Sequence, residues 1–239
     1  MNKRDFIKTG LVSIAGLSVA NLKARSINLL PAKSAFSAPR LSYHTNEIQS
    51  LASSKSFNKH LKQFEQLNKE LISALGNLVF KPKNTKDILQ NASMYSKHLV
   101  DKACEYYNHK LYFKLIDPSS NPGNAGQFNK AVKKQFGSTM NLLDQLTTMA
   151  NVNENEGWLW VNIRNEEIQV DFSKTNSNPI IRSNNTNSSS FPLIAIDLSR
   201  HAYSDKFRND RGAYVNAFWN NLNWSFVEKR YLRAGTFSS

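Results

Sequence analysis

The sequence predicts an α+β protein: an N-terminal helical hairpin, then an α/β domain with a small three-stranded antiparallel sheet and C-terminal helices. Three observations predict it. The first half carries two long stretches with apolar residues at steps of three and four. The period then shortens to β-type runs between residues 158 and 198. Helical spacing returns over residues 212–233. A chain of 239 residues, 40% of them hydrophobic, has material for a packed core, which excludes full-length disorder.

Lys3, Arg4 and Lys8 flank the apolar run of residues 11–20. That run is shorter than the roughly 20 residues a bilayer span needs, and it matches the apolar core of an export signal. Residues 3–8, KRDFIK, resemble a twin-arginine signal with Lys in place of the first Arg. The expectation is an export signal over residues 1–24, delivery to the periplasm or cell exterior, and no membrane attachment after cleavage. Residues 25–38 read as a polar linker rich in Ser and Ala. The hairpin domain is expected over 39–117. Its first helix, 58–79, aligns Leu61, Phe64, Leu67, Leu71 and Leu75 and stops before Pro82. Its second, 86–115, carries Ile88, Leu89, Ala92, Tyr95, Leu99, Ala103 and Tyr106. Asp117-Pro118 through Pro122-Gly123 is a loop signal.

The α/β domain is expected over 118–239. Two short helices, 127–136 and 141–150, are separated at Gly137-Ser138. Strands are expected at 158–163, 168–172 and 192–198, and a single helix at 212–233. Residues 176–190, rich in Asn and Ser, read as a flexible surface loop.

The lone cysteine, Cys104, excludes an internal disulfide and any zinc site of three or four thiolates. A net charge of +13 favours anionic partners. The basic residues are scattered rather than interleaved with stacking aromatics, so nucleic-acid binding is not expected. Chemistry-bearing residues sit at element ends. Asp197 and His201 lie four apart after a buried strand, and His109 stands among aromatics in the second helix. Either feature alone fits core packing or a structural hydrogen bond. Two imidazoles and a carboxylate together suit Zn, Fe or Mn.

Several motifs occur in a fixed order: Tyr107-Asn108-His109, Phe136-Gly137-Ser138, Gly157-Trp158-Leu159-Trp160, DLSRHAY at 197–203, RNDR at 208–211 and FWNNLNW at 218–224. With them, residues 88–231 resemble the iron/manganese superoxide dismutase family. The resemblance implies one Fe or Mn ion per chain, held by three His, one Asp and a solvent molecule. It implies superoxide as substrate, with dioxygen and hydrogen peroxide as products. His109, Asp197 and His201 match three of the protein ligands. Trp158, Trp160 and Trp224 fall where the family packs aromatics around the metal.

The family's first ligand is a His near the start of the first helix, followed four residues on by a second His and four further by a gateway Tyr. Two registers fit. In one, Ser56 holds the ligand position, His60 is the second His and Phe64 the gateway residue, which then has no hydroxyl to relay a proton. In the other, one turn is missing and His60 is itself the ligand. The apolar pattern, with Leu71 and Ile72, favours the first; the distance from Tyr43 favours the second. His44, in the loop before the helix, is a weaker candidate. The glutamine that tunes the metal-bound solvent in the family corresponds to Glu105 in the iron type and to about Asn176 in the manganese type, so the metal is not chosen. The Trp and Glu that precede the last ligand are Ser199 and Arg200, and the second Tyr after it is Ser204. These changes put the usual homodimer interface in doubt. Two functions are therefore expected to compete: an exported superoxide dismutase, and a catalytically inactive dismutase-fold protein used for binding at the cell surface or periplasm.

Overall fold

The computed structural model describes residues 36, 41, 43–76, 78–79, 81–183 and 189–235. The expected export signal, and all of the expected linker except residue 36, lie outside them. No described helix is long and apolar enough to cross a membrane.

Helix α1, Ser54–Gly76, starts where Ser53 Oγ accepts the Ser56 N–H at 3.2 Å. It ends where Lys81 Nζ donates to the last carbonyls, Leu75 O at 2.5 Å and Gly76 O at 2.8 Å. Its buried stripe is Phe57, His60, Phe64, Leu67, Leu71 and Leu75. An imidazole therefore occupies a core position between two phenylalanines.

The expected long second helix is broken. Helix α2, Thr85–Gln90, passes through a 3-10 turn at Ala92–Met94 before α3, Lys97–Lys114, begins. The break comes from capping: Ser96 is extended and its side chain accepts the Leu99 N–H at 3.3 Å, which starts a new helix. Helices α4, Gly126–Phe136, and α5, Thr139–Val152, divide where expected. Gly137 takes φ +83 and Ser138 caps α5 through the Asn141 N–H.

The three antiparallel strands are β1, Gly157–Arg164, β2, Glu167–Lys174, and β3, Ser190–Asp197, in the order β2-β1-β3. The β1–β2 hairpin turns through Asn165 and Glu166, both at positive φ, as a two-residue primed turn requires. In the β1–β3 register Trp158 pairs with Asp197, so an indole and a carboxylate share one end of the sheet. Within the segment read as a loop, α6, Pro179–Ser183, forms a short helix. Its cap is Asn178, whose Oδ1 accepts the Ile180 and Ile181 N–H groups at 3.1 Å each.

The last expected helix is also divided. After α7, Arg200–Phe207, come α8, Arg211–Asn220, and α9, Trp224–Gly235. Between them the chain leaves the helix to pair with the end of the hairpin: Asn223 N–H donates to Leu115 O at 2.7 Å and Asp117 N–H to Asn221 O at 2.8 Å. The fold is thus α+β. The α1/α3 pair packs beside β3 and α7, while α5 packs against α8 and the sheet.

Candidate metal centre

Four side chains from four elements converge: His60 of α1, His109 of α3, Asp197 at the end of β3 and His201 in the first turn of α7. One ligand atom from each lies within 4.8 Å of the others. Asp197 Oδ2 is 3.3 Å from His201 Nε2, 3.4 Å from His60 Nε2 and 3.8 Å from His109 Nε2. Asp197 is fully buried and His60 is 2% exposed, whereas His201 is one-third exposed at 33%. The centre therefore lies just under the surface.

Two of the donors are aimed by a second contact. The Nδ1 of His109 meets Glu105 O at 2.8 Å, one helical turn back; with its proton on Nδ1, the ring donates there and turns Nε2 inward. Asp197 Oδ1 accepts the Ser199 N–H at 2.8 Å, which leaves Oδ2 for the centre. His201 follows Asp197 by four residues because the chain passes directly from β3 into α7.

Electrostatics favour a cation at this point. Burial lowers the His60 imidazole, and it brings His109 down to about 4 against the pull of Asp197. Both rings are neutral near pH 7. Burial alone would raise the Asp197 carboxyl, but the facing His201 and His60 outweigh it and hold the group well below the usual carboxylate range. Burial likewise pulls His201 down, yet Asp197, aided by Glu156, raises it. Meanwhile His60 Nε2, His201 Nε2 and Asp197 Oδ2 are buried with no hydrogen-bond partner. Orphaned buried polar atoms of this kind are costly, and here they face one another. Imidazole nitrogens and a carboxylate oxygen form the donor set that suits Fe or Mn. The residues fit a single divalent or trivalent ion.

The walls are aromatic. His60 packs against Phe113 at 5.0 Å and Tyr112 at 5.3 Å between ring centres. Trp158 meets His109 edge-on at 5.0 Å, and Trp160 backs it at 6.0 Å, held by its Nε1–H to Ser173 Oγ at 2.9 Å. Phe64 lies nearly parallel to Tyr106 at 5.2 Å and to His109 at 6.1 Å. A groove of about 500 Å³ leads from solvent to His109 and His201; Lys59, Lys62 and Lys102 line it, with Phe64, Glu105 and Glu70.

Sequence reasoning is corrected at several points. The register favoured by the apolar pattern put Ser56 at the ligand position. The helix instead brings His60 to the other three donors, while Ser56 stays in its first turn. Ile72, which supported that register, is 51% exposed and carries no packing information. His44 sits in an exposed turn outside the cluster. Asn176 is exposed; among the described residues of this loop the buried amide is Asn178, which donates to Asn108 Oδ1 at 3.0 Å. Trp224 packs edge-on against Trp219 at 4.9 Å, in the core near α8. The walls missed by sequence reasoning are Tyr112 and Phe113, three and four residues after His109, a spacing that places them on the same helix face. Ser199 is buried, Arg200 is exposed with its N–H on Glu156 Oε1 at 3.2 Å, and Ser204 is partly exposed.

Comparison with known proteins agrees with this geometry. Residues 124–230 match the family model for iron/manganese superoxide dismutases, C-terminal domain. The chain is 28% identical over 209 residues to superoxide dismutase [Fe] of Campylobacter jejuni subsp. jejuni serotype O:23/36 (strain 81-176), covering 82% of this chain and 90% of that one. It is 26% identical over 198 residues to superoxide dismutase [Fe] of Plasmodium falciparum, covering 82% of this chain and 96% of that one. In its sequence and in its donor set the chain is thus similar to the iron/manganese superoxide dismutases.

Proposed function

We propose that this chain is an exported superoxide dismutase whose single Fe or Mn ion is held by His60, His109, Asp197 and His201. The observation that carries the reading is the convergence of four ligand atoms, three of them buried without a hydrogen-bond partner. The chemistry supplied at that point is one-electron exchange: one superoxide is oxidised to dioxygen, and a second, with two protons, is reduced to hydrogen peroxide.

The chain's own residues do the rest. The Glu105 carbonyl and the Ser199 N–H hold two of the donors in orientation. Trp158, Tyr112, Phe113 and Phe64 keep bulk water from the donors and leave the groove past Lys59 and Lys62 as the route for a small anion. Lys59 and Lys62 favour an anion's approach, and added salt screens that attraction. Phe64 offers no proton, so protons arrive through solvent in this groove. Arg200, an exposed cation where the family's bridging carboxylate stands, argues against the usual dimer bridge. The protein accordingly sediments as a monomer, or as a dimer built on another surface.

The test is His109→Ala. It should abolish stoichiometric binding of Fe or Mn and, with it, dismutation; metal content equal to that of the parent would remove His109 from the site.

A further inference from the structure

Among the described residues, four buried side-chain atoms without a hydrogen-bond partner belong to the metal centre or its wall: His60 Nε2, His201 Nε2, Asp197 Oδ2 and Trp158 Nε1. They divide by chemistry. The imidazole nitrogens and the carboxylate oxygen offer lone pairs, which a cation satisfies. The indole nitrogen is a donor only. A cation cannot satisfy it; it needs a lone pair.

The sheet register fixes where Trp158 stands. It is fully buried, and it pairs with Ser173 on β2 and with Asp197 on β3. Its ring centre is 5.0 Å from that of His109 and 6.3 Å from that of Tyr112. A hydrogen-bonded acceptor lies about 2.9 Å from the donor nitrogen, so whatever accepts this N–H sits in the same shell of residues as His109.

The acceptors of that shell are committed. Ser173 Oγ takes the Trp160 N–H at 2.9 Å and itself donates to Ser177 O at 2.8 Å. Asn108 Oδ1 takes the Asn178 amide at 3.0 Å. Tyr112 Oη takes the Tyr214 hydroxyl at 3.3 Å, and Asp197 Oδ1 takes the Ser199 N–H at 2.8 Å. Asp197 Oδ2 is out of the indole's reach, since both atoms are unpartnered. A buried donor left unpaired is costly, and native chains keep few of them. One kept beside a cation site marks where a lone pair comes to rest.

We propose that the Trp158 N–H is the hydrogen-bond donor that holds a small anion beside the ion, superoxide during turnover, so that Trp158 binds substrate as well as walling the centre. The proposal rests on the reading that the centre holds Fe or Mn. A hydrogen bond to a charged acceptor is stronger than one between neutral groups, so the N–H favours the anion over water. The ring centres of His60, His109 and His201 stand 4.6, 5.2 and 6.2 Å apart, which admits an anion of a few atoms and excludes a bulky one.

The test is azide binding to the iron-loaded protein, followed by its charge-transfer absorption, with metal counted in every sample. The decisive variant replaces the indole of Trp158 by benzothiophene, which keeps the ring shape and carries no N–H. It should keep the parent's metal content and bind azide at least about tenfold more weakly. Trp158→Phe should follow it. Trp224→Phe, the same change in the core near α8, should bind azide as the parent does. Ultraviolet resonance Raman gives an independent readout, because an indole band tracks hydrogen bonding at the N–H. Azide should shift the Trp158 contribution, identified by its loss in Trp158→Phe, in the iron-loaded parent. A parent that holds neither Fe nor Mn would refute the reading of the centre itself. With metal retained, an azide affinity of the benzothiophene variant within about twofold of the parent's overturns the proposal alone. So does a Trp158 band that azide leaves in place, including one that shifts on iron loading only, which would assign the N–H to solvent. If the variants fail to hold metal, the band in the parent decides.

Discussion

His60→Ala removes one of four donors and leaves the apolar stripe of α1 in place. Changing a group that only supports a ligand costs about 10–100-fold in metal affinity, so removing a donor should cost at least about 100-fold, or ~2.7 kcal/mol. An ion that binds only the folded chain stabilises it by RT ln(1 + [M]/Kd). With free metal at about a thousand times Kd, the increment is ~4.1 kcal/mol for the parent and ~1.4 kcal/mol for a variant with Kd weakened 100-fold. In a chain of this length each kcal/mol moves Tm by roughly 2–4 °C. The metal-dependent rise in Tm should therefore shrink by about 5–10 °C. Packing lost against Phe113 and Tyr112 falls on the metal-free and metal-bound forms alike and cancels in that difference. The assay is scanning calorimetry of each protein with and without metal, with elemental analysis after dialysis. Ser56→Ala, one turn earlier on the same helix, should match the parent in both readouts. A His60→Ala protein that keeps a full equivalent of metal, or a Ser56→Ala protein that loses it, would refute the reasoning.

Three further outcomes are expected. Arg211 is buried and donates to Asn153 O, Asn155 O and Glu154 O and to Tyr203 Oη, tying the start of α8 to the α5–β1 connection and to α7. Arg211→Met leaves those carbonyls unpaired and should cost about 2–4 kcal/mol in urea unfolding; a cost under about 0.5 kcal/mol would contradict this. A Cβ on Gly157 would lie 2.1 Å from Ser173 O, a backbone atom of β2 that cannot swing aside. Gly157→Ala should therefore cost at least about 1–3 kcal/mol and, by displacing Trp158, also weaken metal binding. Asn178→Ala removes the cap of α6 and a partner of Asn108, for about 1–3 kcal/mol. Hydrogen exchange at the Ile180 and Ile181 amides should quicken, and unchanged protection there would show that the cap contributes nothing.

The fold class and the donors His109, Asp197 and His201 were legible in the sequence, and His60 was named as a ligand in one of two open registers, for physical reasons. The helical period, the strand runs and the Gly137-Ser138 break are local signals, and local structure follows them. Asp197 and His201 are close in the chain, so a strand-to-helix junction brings them together whatever else happens. What the sequence hid depends on long-range packing. Asn223 leaves the helix because Leu115 O, more than a hundred residues earlier, accepts its N–H. Whether Ser56 or His60 reaches the centre depends on where α1 begins, which the cap at Ser53 decides. Trp224 reads like Trp158 in sequence, yet only Trp158 is paired in register with Asp197.

The most direct test of the account counts superoxide dismutation per metal atom on the purified protein, with Fe, Mn and Zn determined in the same sample. The account predicts close to one Fe or Mn per chain, with turnover proportional to that content and lost together with it in His109→Ala. Protein that folds without Fe or Mn, or that holds the ion without turnover, would contradict it.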